Sequence, residues 1–221
     1  MTVTLRPAEA TDVDAVAAIW YSGWGDGHLG NVPDELVAIR TKDSFWTRVP
    51  DRIADTTVAI ADRTVADPAN AGSVGASAGP EVPAPAGAGS GGEVAGFVMV
   101  VGDEVEQVYV SADHRGSGVA GVLIGEAERQ VKENGYGEAW LAVATGNARA
   151  RRFYERSGWA DAGAFDYPAD TENGPIPVPC HRYTKQVGCS WSAARWWRPC
   201  GRSGPGRWSS SRARQVSARP H

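Results

Sequence analysis

The chain has 221 residues and a mass of 23.3 kDa, which suits one domain with appended segments better than two full domains. It has no run of about 18 apolar residues that could cross a bilayer, and residues 1–6 lack the order of a signal peptide, so we expect a soluble, cytoplasmic protein without a membrane partner. The three cysteines show neither a disulfide framework nor metal-ligand spacing, which predicts a reduced Cys180 and no metal site.

The charge is distributed unevenly along the chain. The formal net charge is −4, but residues 188–221 contain seven arginines and no acid, so residues 1–187 carry 15 basic and 26 acidic side chains, a net charge of −11. An acidic body argues against general binding to nucleic acid and is compatible with a cationic or amine-bearing substrate.

The N-terminal segment predicts a strand followed by helices. Residues 3–6 alternate apolar and polar side chains and stop at Pro7, as in a short strand. Apolar residues then recur at three- and four-residue spacing behind Thr11, which predicts a helix capped by Thr11. Glycines at positions 23, 25, 27 and 30 predict that this helix ends in a flexible segment. A second helical region is expected from Pro33 to Trp46.

Four ring-bearing side chains of this segment have two interpretations. They fit the edge of a hydrophobic core that a loop closes, and they also fit the lining of an aromatic, partly apolar acceptor pocket. The candidate substrate-binding residues are Trp20, Trp24, His28 and Trp46.

The sequence at the centre of the chain predicts a strand, a glycine-rich turn and a helix. Residues 104–110 have strand character, residues 115–120 form the turn, and an amphipathic run continues to Glu133 before Gly135 ends it. Such a turn leaves N–H groups unpaired at the positive end of the helix dipole, which suits a phosphate group. The flanking elements are strands at 56–61, 93–101 and 139–144, a helix capped by Asn147, and a strand pair at 161–167 and 178–187.

Two segments differ from the rest in composition. Residues 64–92 are dominated by Ala, Gly, Pro and Ser, with too few apolar side chains to offset the entropy of ordering, which predicts a disordered insertion in a hairpin. Residues 188–221 lack any period, and we expect a disordered tail. Arginines with interleaved tryptophans also fit single-stranded nucleic-acid binding, and a shifted reading frame in GC-rich coding sequence would give a similar composition. Residues 1–187 are therefore the predicted domain.

The glycine turn also satisfies the G-x-G-x-x-G dinucleotide pattern at residues 116–121. A dinucleotide fold needs an acidic residue at the end of the next strand to hold the ribose. That strand ends in Val-Ala-Thr-Gly at residues 143–146, without an acid. A Walker loop is absent as well, because no Gly-Lys-Ser or Gly-Lys-Thr occurs. Both of these phosphate sites are disfavoured.

Two motifs resemble those of the GNAT superfamily of N-acetyltransferases. Residues 115–120 match its R/Q-x-x-G-x-G/A pyrophosphate motif, and residues 147–159 match its N-x-x-A-x-x-F-Y-x-x-x-G-F/W segment. The resemblance covers about residues 2–187 and implies an α+β fold with a mixed, mostly antiparallel sheet of about seven strands flanked by helices. It implies direct transfer of an acetyl group from acetyl-CoA to a primary amine of a small molecule or peptide. The alternative is a non-catalytic sensor of acyl-CoA, and a homodimer is left open.

The resemblance also assigns coenzyme-binding residues. Backbone groups at the end of the fourth strand hold the pantetheine arm and the thioester carbonyl, and N–H groups of the glycine turn take the pyrophosphate. Asn147 and Tyr154 contact the coenzyme. The remaining members of this set are Val108, Tyr109, Val110, Arg115, Gly116, Ser117, Gly118, Val119 and Ala120.

Three residues are candidates for acid–base chemistry. By the same resemblance, Tyr154 is the general acid toward sulfur, although a tyrosine beside Phe153 also fits a core position. Glu104 and Glu106 lie on one strand face, since side chains alternate with period two. Burial raises a carboxylate pKa toward neutrality, so either could accept the ammonium proton. Glu104 is the preferred candidate for the base, with Glu106 close behind. In the alternative interpretation both carboxylates are solvated and the amine binds in its neutral form.

Overall fold

The computed structural model describes residues 2–62 and 92–188, which form one seven-stranded sheet with helices on both faces. The strands are β1 (Val3–Pro7), β2 (Thr56–Ala61), β3 (Glu93–Val101), β4 (Glu104–Val110), β5 (Glu138–Ala144), β6 (Ala160–Ala169) and β7 (Ile176–Gln186). The helices are α1 (Val13–His28), α2 (Asp34–Ile39), α3 (Lys42–Arg52), α4 (Val119–Glu133) and α5 (Ala148–Arg156).

The sheet is mixed and mostly antiparallel, as the sequence predicts. Its strand order is β1-β2-β3-β4-β5-β7-β6. Neighbouring strands are antiparallel, except that β4 and β5 run parallel and are connected through α4. The single parallel pair places the carboxyl ends of β4 and β5 at the same edge, where the glycine turn begins.

Each face of the sheet has its own hydrophobic core. Helix α4 packs on one face through side chains such as Leu123, which is fully buried. Gly96 in β3 permits this approach, because a Cβ there would lie 2.9 Å from Leu123 Cδ1. Val122, which the helical pattern also assigns to the buried face, is 40% exposed, and Ile124 is buried instead. Helices α1, α2 and α3 cover the opposite face, where Trp20 and Phe45 meet edge to face.

Helix α1 corrects two predictions. It continues through the glycines at positions 23, 25 and 27 to His28, and its N-cap is Asp12 rather than Thr11. Asp12 is held in place by Arg6, 2.7 Å away, and by the N–H of Glu9. Gly23 is required for packing, since a Cβ there would lie 2.3 Å from the ring of Tyr109. Tertiary contact therefore overrides the weak helix propensity of glycine, which costs about 1 kcal/mol per residue.

The predicted insertion at 64–92 and the predicted tail at 188–221 lie outside the described residues, apart from the glycines at positions 92 and 188. Within the described ranges, none of the helices has the length and apolarity needed to cross a membrane.

Candidate active site

The two parallel strands in the centre of the sheet separate from each other. Strands β4 and β5 pair at Glu104 and Trp140, and the N–H of Trp140 donates to the Asp103 carbonyl over 3.0 Å. No further pair between these strands is found in the part of the chain that the structure describes. On its other side β5 is paired to β7 along its whole length, and β4 is paired to β3 apart from Glu106. The sheet is therefore open between β4 and β5 toward their carboxyl ends.

The open edge of β4 presents backbone groups of two residues. The N–H of Ser111 donates to the Ala95 carbonyl of β3 over 2.8 Å. Because backbone groups alternate sides along a strand, those of Tyr109 also face β3, and those of Val108 and Val110 face the opening. Donors and acceptors at such an edge are available to an extended ligand, as they would be to an added strand.

The glycine turn forms a cradle of free donors at the start of α4. The N–H of Ser117 bonds to the His114 carbonyl over 3.3 Å, but within 2–62 and 92–188 no acceptor is found for four neighbouring N–H groups. Gly118 is the N-cap with φ of +92°, a conformation that favours glycine, and no atom lies within 4 Å of where its Cβ would be. This open space and the helix N-terminus suit an anion. The four groups belong to Gly116, Gly118, Val119 and Ala120.

Arg115 stands beside this cradle and is paired with an acid. Its Nη2 lies 2.5 Å from Oδ2 of Asp26 on α1, and both side chains are partly exposed. An exposed ion pair of this kind contributes little to stability. A bound anion would compete with Asp26 for the guanidinium.

Asn147 has the capping role that the sequence predicts. Its Oδ1 accepts a hydrogen bond of 3.0 Å from the N–H of Ala150 in the first turn of α5. Its Nδ2 faces α1, since it would lie 3.0 Å from a Cβ at Gly27. One atom of the amide therefore orients α5, and the other is directed toward the end of α1.

Two tyrosines approach each other from opposite faces of the sheet. Tyr154 on α5 packs against the rings of Trp159 and Tyr183, with centroids 6.0 and 6.1 Å away, and its hydroxyl forms no hydrogen bond to any described residue. Burial raises the pKa of Tyr154 well above its ordinary value. Burial and the nearby Tyr154 hydroxyl likewise raise the pKa of Tyr109 on β4. Both phenols therefore stay protonated at neutral pH.

Glu104 is a carboxyl group in an unusual environment at the closed end of the opening. Burial raises its pKa from 4.5 to about 7. The hydroxyl of Tyr167 on β6 donates to Oε1 over 3.0 Å, which favours the ionised form and limits the rise. A carboxyl with a pKa near neutrality can accept and release a proton at physiological pH.

Glu106 occupies a β-bulge on the same face of β4. The register with β3 shifts between Met99 and Val100, so that Glu106 has no partner opposite. Its carboxylate forms an ion pair with Arg52 on α3. Of the two candidate glutamates, Glu106 is engaged by a cation and Glu104 by a neutral hydroxyl.

The comparisons with known proteins agree with this geometry. A sequence profile for the acetyltransferase (GNAT) family matches residues 62–159, the segment that contains the open strand, the cradle and α5. Residues 62–159 are therefore similar to GNAT acetyltransferases. A streptothricin acetyltransferase from Streptomyces lavendulae is 36% identical over 78 residues, which make up 33% of this chain and 41% of that protein. The chain therefore matches about two fifths of the length of this curated relative.

Solved structures share the fold of this chain. Apo YjaB from Escherichia coli superposes with a TM-score of 0.56 at 18% identity, over 86% of this chain and all of that one. The PaiA N-acetyltransferase from Thermoplasma acidophilum, solved in complex with coenzyme A, gives a TM-score of 0.55 at 15% identity, over 84% of this chain and 99% of that one.

The four predicted acceptor residues occupy different surroundings. Trp20 is 2% exposed and lies in the core, with Nε1 near the Tyr109 hydroxyl but outside hydrogen-bond geometry. Trp24 and His28 stack on each other with centroids 5.0 Å apart, and burial lowers the pKa of His28. Trp46 donates to Asp14 over 2.9 Å, which ties α3 to α1. Trp20 is the member of this set that lies beside Tyr109.

Three side chains on the sheet face that carries Glu104 were not predicted from the sequence. Tyr167 donates to Glu104, Arg48 lies over the Trp20 ring, and Arg182 lies over the Trp140 ring at 4.1 Å. Each comes from an element distant in sequence from β4. A polar side chain at an inward-facing position of a strand, as at Tyr167 and Arg182, is a sequence signal of a functional site. It does not identify the residue that this side chain contacts.

Proposed function

We propose that the protein transfers an acetyl group from acetyl-CoA directly to a primary amine. The observation that carries the proposal is the opening between β4 and β5, which has free backbone donors on one edge, a protonated tyrosine beside it and a carboxyl of raised pKa at its closed end. The match to the GNAT family supports the same activity.

The chain's own residues fit the coenzyme and the chemistry. Acetyl-CoA supplies the acetyl group as a thioester. The N–H groups at the open edge of β4, from Val108 and Val110, are placed to bind the thioester carbonyl and stabilise charge that develops on its oxygen. The four free N–H groups of the cradle suit the pyrophosphate. These donors are part of the backbone and are already oriented, so no reorganisation is needed when the charge develops.

Two side chains take part in the acid–base chemistry, one as a proton acceptor and one as a hydrogen-bond donor. Glu104, with a pKa of about 7, accepts the proton of the incoming ammonium, directly or through water, so that a neutral amine attacks. Tyr154 keeps its own proton because its pKa lies far above that of a thiol, ordinarily about 8.5. Its hydroxyl therefore acts chiefly as a hydrogen-bond donor to the departing sulfur.

Direct transfer without a covalent enzyme intermediate agrees with the cysteine chemistry. Burial raises the pKa of Cys180 to about 12, so its thiol stays protonated at neutral pH and is a poor nucleophile. No other cysteine lies within the described part of the chain.

The test is thiol release from acetyl-CoA over a panel of primary amines, with Tyr154→Phe as the variant. Loss of one hydrogen bond to developing charge is expected to lower turnover by about 10- to 100-fold, with coenzyme affinity unchanged. The matched control is Tyr136→Phe, at a tyrosine that is 44% exposed.

Three outcomes would count against parts of this proposal. Equal turnover in the wild type and in Tyr154→Phe would remove Tyr154 from the mechanism. Coenzyme binding without any amine-dependent thiol release would favour the acyl-CoA sensor. Absence of coenzyme binding would exclude both functions.

A further inference from the structure

Arg48 on α3 is a partly buried cation without a counter-ion. Its Cζ lies 4.7 Å from the centroid of the Trp20 ring. It forms neither a hydrogen bond nor an ion pair with any residue in 2–62 or 92–188. Burial, together with two nearby arginines, lowers its pKa to about 10, so the guanidinium is still charged at neutral pH. A charge withdrawn from water normally has a partner.

The neighbours of Arg48 do not supply that partner. Arg52 is already paired with Glu106. Arg40 donates to the backbone carbonyl of Asp170 over 2.8 Å, and the Asp170 carboxylate affects Arg48 only at a distance. Around Arg48 the described side chains therefore provide an excess of positive charge, although the chain as a whole is acidic.

Unsatisfied donors concentrate on the same face of the sheet. The indole Nε1 of Trp20 is fully buried and has no hydrogen-bond acceptor. Arg182 on β7 rests on Trp140, and no acid among the described residues pairs with it. Both lie on the sheet face that carries Glu104 and Tyr109. On this face, Arg48, Arg182 and the indole Nε1 of Trp20 are donors without a hydrogen-bond acceptor among the described residues.

Arg48 and Glu104 share Arg52 as a charged neighbour. The charge of Arg48 interacts with the hydroxyl of Tyr109, which in turn lies near Tyr154. Arg40 and Arg52 act on Arg48, and Arg52 also acts on Glu104. A small acceptor whose amine lies near Glu104 can then extend past this shared arginine and present a second group to Arg48.

We infer that the acceptor carries a carboxylate as well as a primary amine, and that Arg48 binds this carboxylate while the amine is directed toward Glu104. The guanidinium offers a planar fork of donors that matches a carboxylate. The acceptor is therefore a small molecule of amino-acid type rather than a polyamine or a lysine side chain. This inference rests on the proposed acetyl transfer.

The experiment compares acceptors that differ only in charge. Thiol release from acetyl-CoA is measured with the twenty standard amino acids and short ω-amino acids, with the carboxamide of each, and with polyamines. An accepted amino acid should exceed its carboxamide in kcat/KM by about 10- to 100-fold, as for one charged hydrogen-bonded pair. Isothermal titration of the same probes into the CoA-loaded protein gives a readout that does not require turnover.

The variant Arg48→Met should abolish the preference for the acid over the carboxamide, and Arg48→Lys should keep part of it. Arg156→Met, at an exposed arginine at the end of α5, is the matched control and should keep all of it. If Arg48→Met fails to fold, as judged by circular dichroism, the comparison of acid and carboxamide in the wild type still tests whether the acceptor needs a carboxylate.

The outcomes separate this inference from the proposed function. Equal rates with acids and carboxamides, or faster rates with polyamines, would overturn the carboxylate site while acetyl transfer stands. Binding of an amino acid that is lost in Arg48→Met, without any thiol release, would support the site and contradict the enzyme. Neither binding nor turnover with any amino acid would overturn the inference.

Discussion

The role of Glu104 can be tested through the hydroxyl that donates to it, which opposes the effect of burial on its pKa. The hydroxyl of Tyr167 stabilises the ionised form of Glu104, and so do the charges of Arg52 and Arg182, whereas burial and Asp103 favour the protonated form. Removing the hydroxyl in Tyr167→Phe should therefore raise the pKa of Glu104 above its present value of about 7.

The size of this change follows from one charged hydrogen bond. Such a bond contributes about 1.5–3 kcal/mol, and about 1.4 kcal/mol corresponds to one pH unit. Because part of the Glu104 side chain reaches solvent and water can replace the lost donor, we expect the lower end, a rise of about one unit. At pH 7 the ionised fraction would fall from about one half to about one tenth, with a fivefold lower kcat/KM.

The assay is the pH dependence of kcat/KM for thiol release between about pH 6 and pH 9.5. In the wild type kcat/KM should rise through about pH 7. In Tyr167→Phe the rise should move by about one unit toward alkaline pH with the plateau retained, and Tyr136→Phe should not move it. Persistence of the rise near pH 7 in Glu104→Gln would assign it to the substrate amine and refute the role of Glu104.

Stability provides a readout of the same group that needs no substrate. The folded-state pKa of Glu104 is raised, so its contribution to stability is present below its ordinary pKa of 4.5 and is lost as the pH rises through about 7. Above pH 7 the ionised carboxylate costs up to about 3 kcal/mol. Glu104→Gln should therefore gain stability over the wild type in urea unfolding at about pH 8.5, and less at about pH 5.5. A gain independent of pH would contradict the raised pKa.

Two further predictions concern packing and the coenzyme. Gly23→Ala should lower the free energy of unfolding, measured in urea, by about 1–3 kcal/mol, because the new Cβ would meet the Tyr109 ring at 2.3 Å. The control Gly25→Ala should be neutral or stabilising, because its Cβ would meet only a side chain 3.8 Å away. Equal effects of the two variants would refute the packing argument. Asp26→Asn should free Arg115 from its ion pair and tighten the binding of coenzyme A, measured by calorimetry, by about two- to fivefold at low ionic strength, as for one exposed ion pair. An unchanged affinity would mean that Arg115 does not approach the phosphates.

Local sequence signals predicted the elements that depend on local physics. The amphipathic run ending at Gly135 forms α4, which ends at Glu133, and Asn147 caps α5 through its own side chain. The end of α1 was mispredicted because a glycine lowers helix propensity wherever it stands. At Gly23 the absence of a side chain is instead what allows the helix to lie against Tyr109.

The candidate site likewise has features that the local sequence predicts and features that depend on tertiary contacts. The sequence by itself determined the cradle, since a strand, a glycine turn and a helix start in that order produce free N–H groups whatever surrounds them. It also determined which glutamates share a strand face. Only the tertiary structure decided that Glu104 meets Tyr167 while Glu106 meets Arg52. Those contacts join residues more than fifty positions apart, and no local period encodes them.

The charge of the sheet face that carries Glu104 is the clearest case of a property that tertiary structure decides. Residues 1–187 have a net charge of −11, and composition alone is compatible with a cationic or amine-bearing substrate. In the fold, arginines from the end of α2, from α3 and from β7 converge on one face of the sheet, at positions 40, 48, 52 and 182. A net charge counts every side chain equally, whereas a ligand responds to those within a Debye length of about 10 Å.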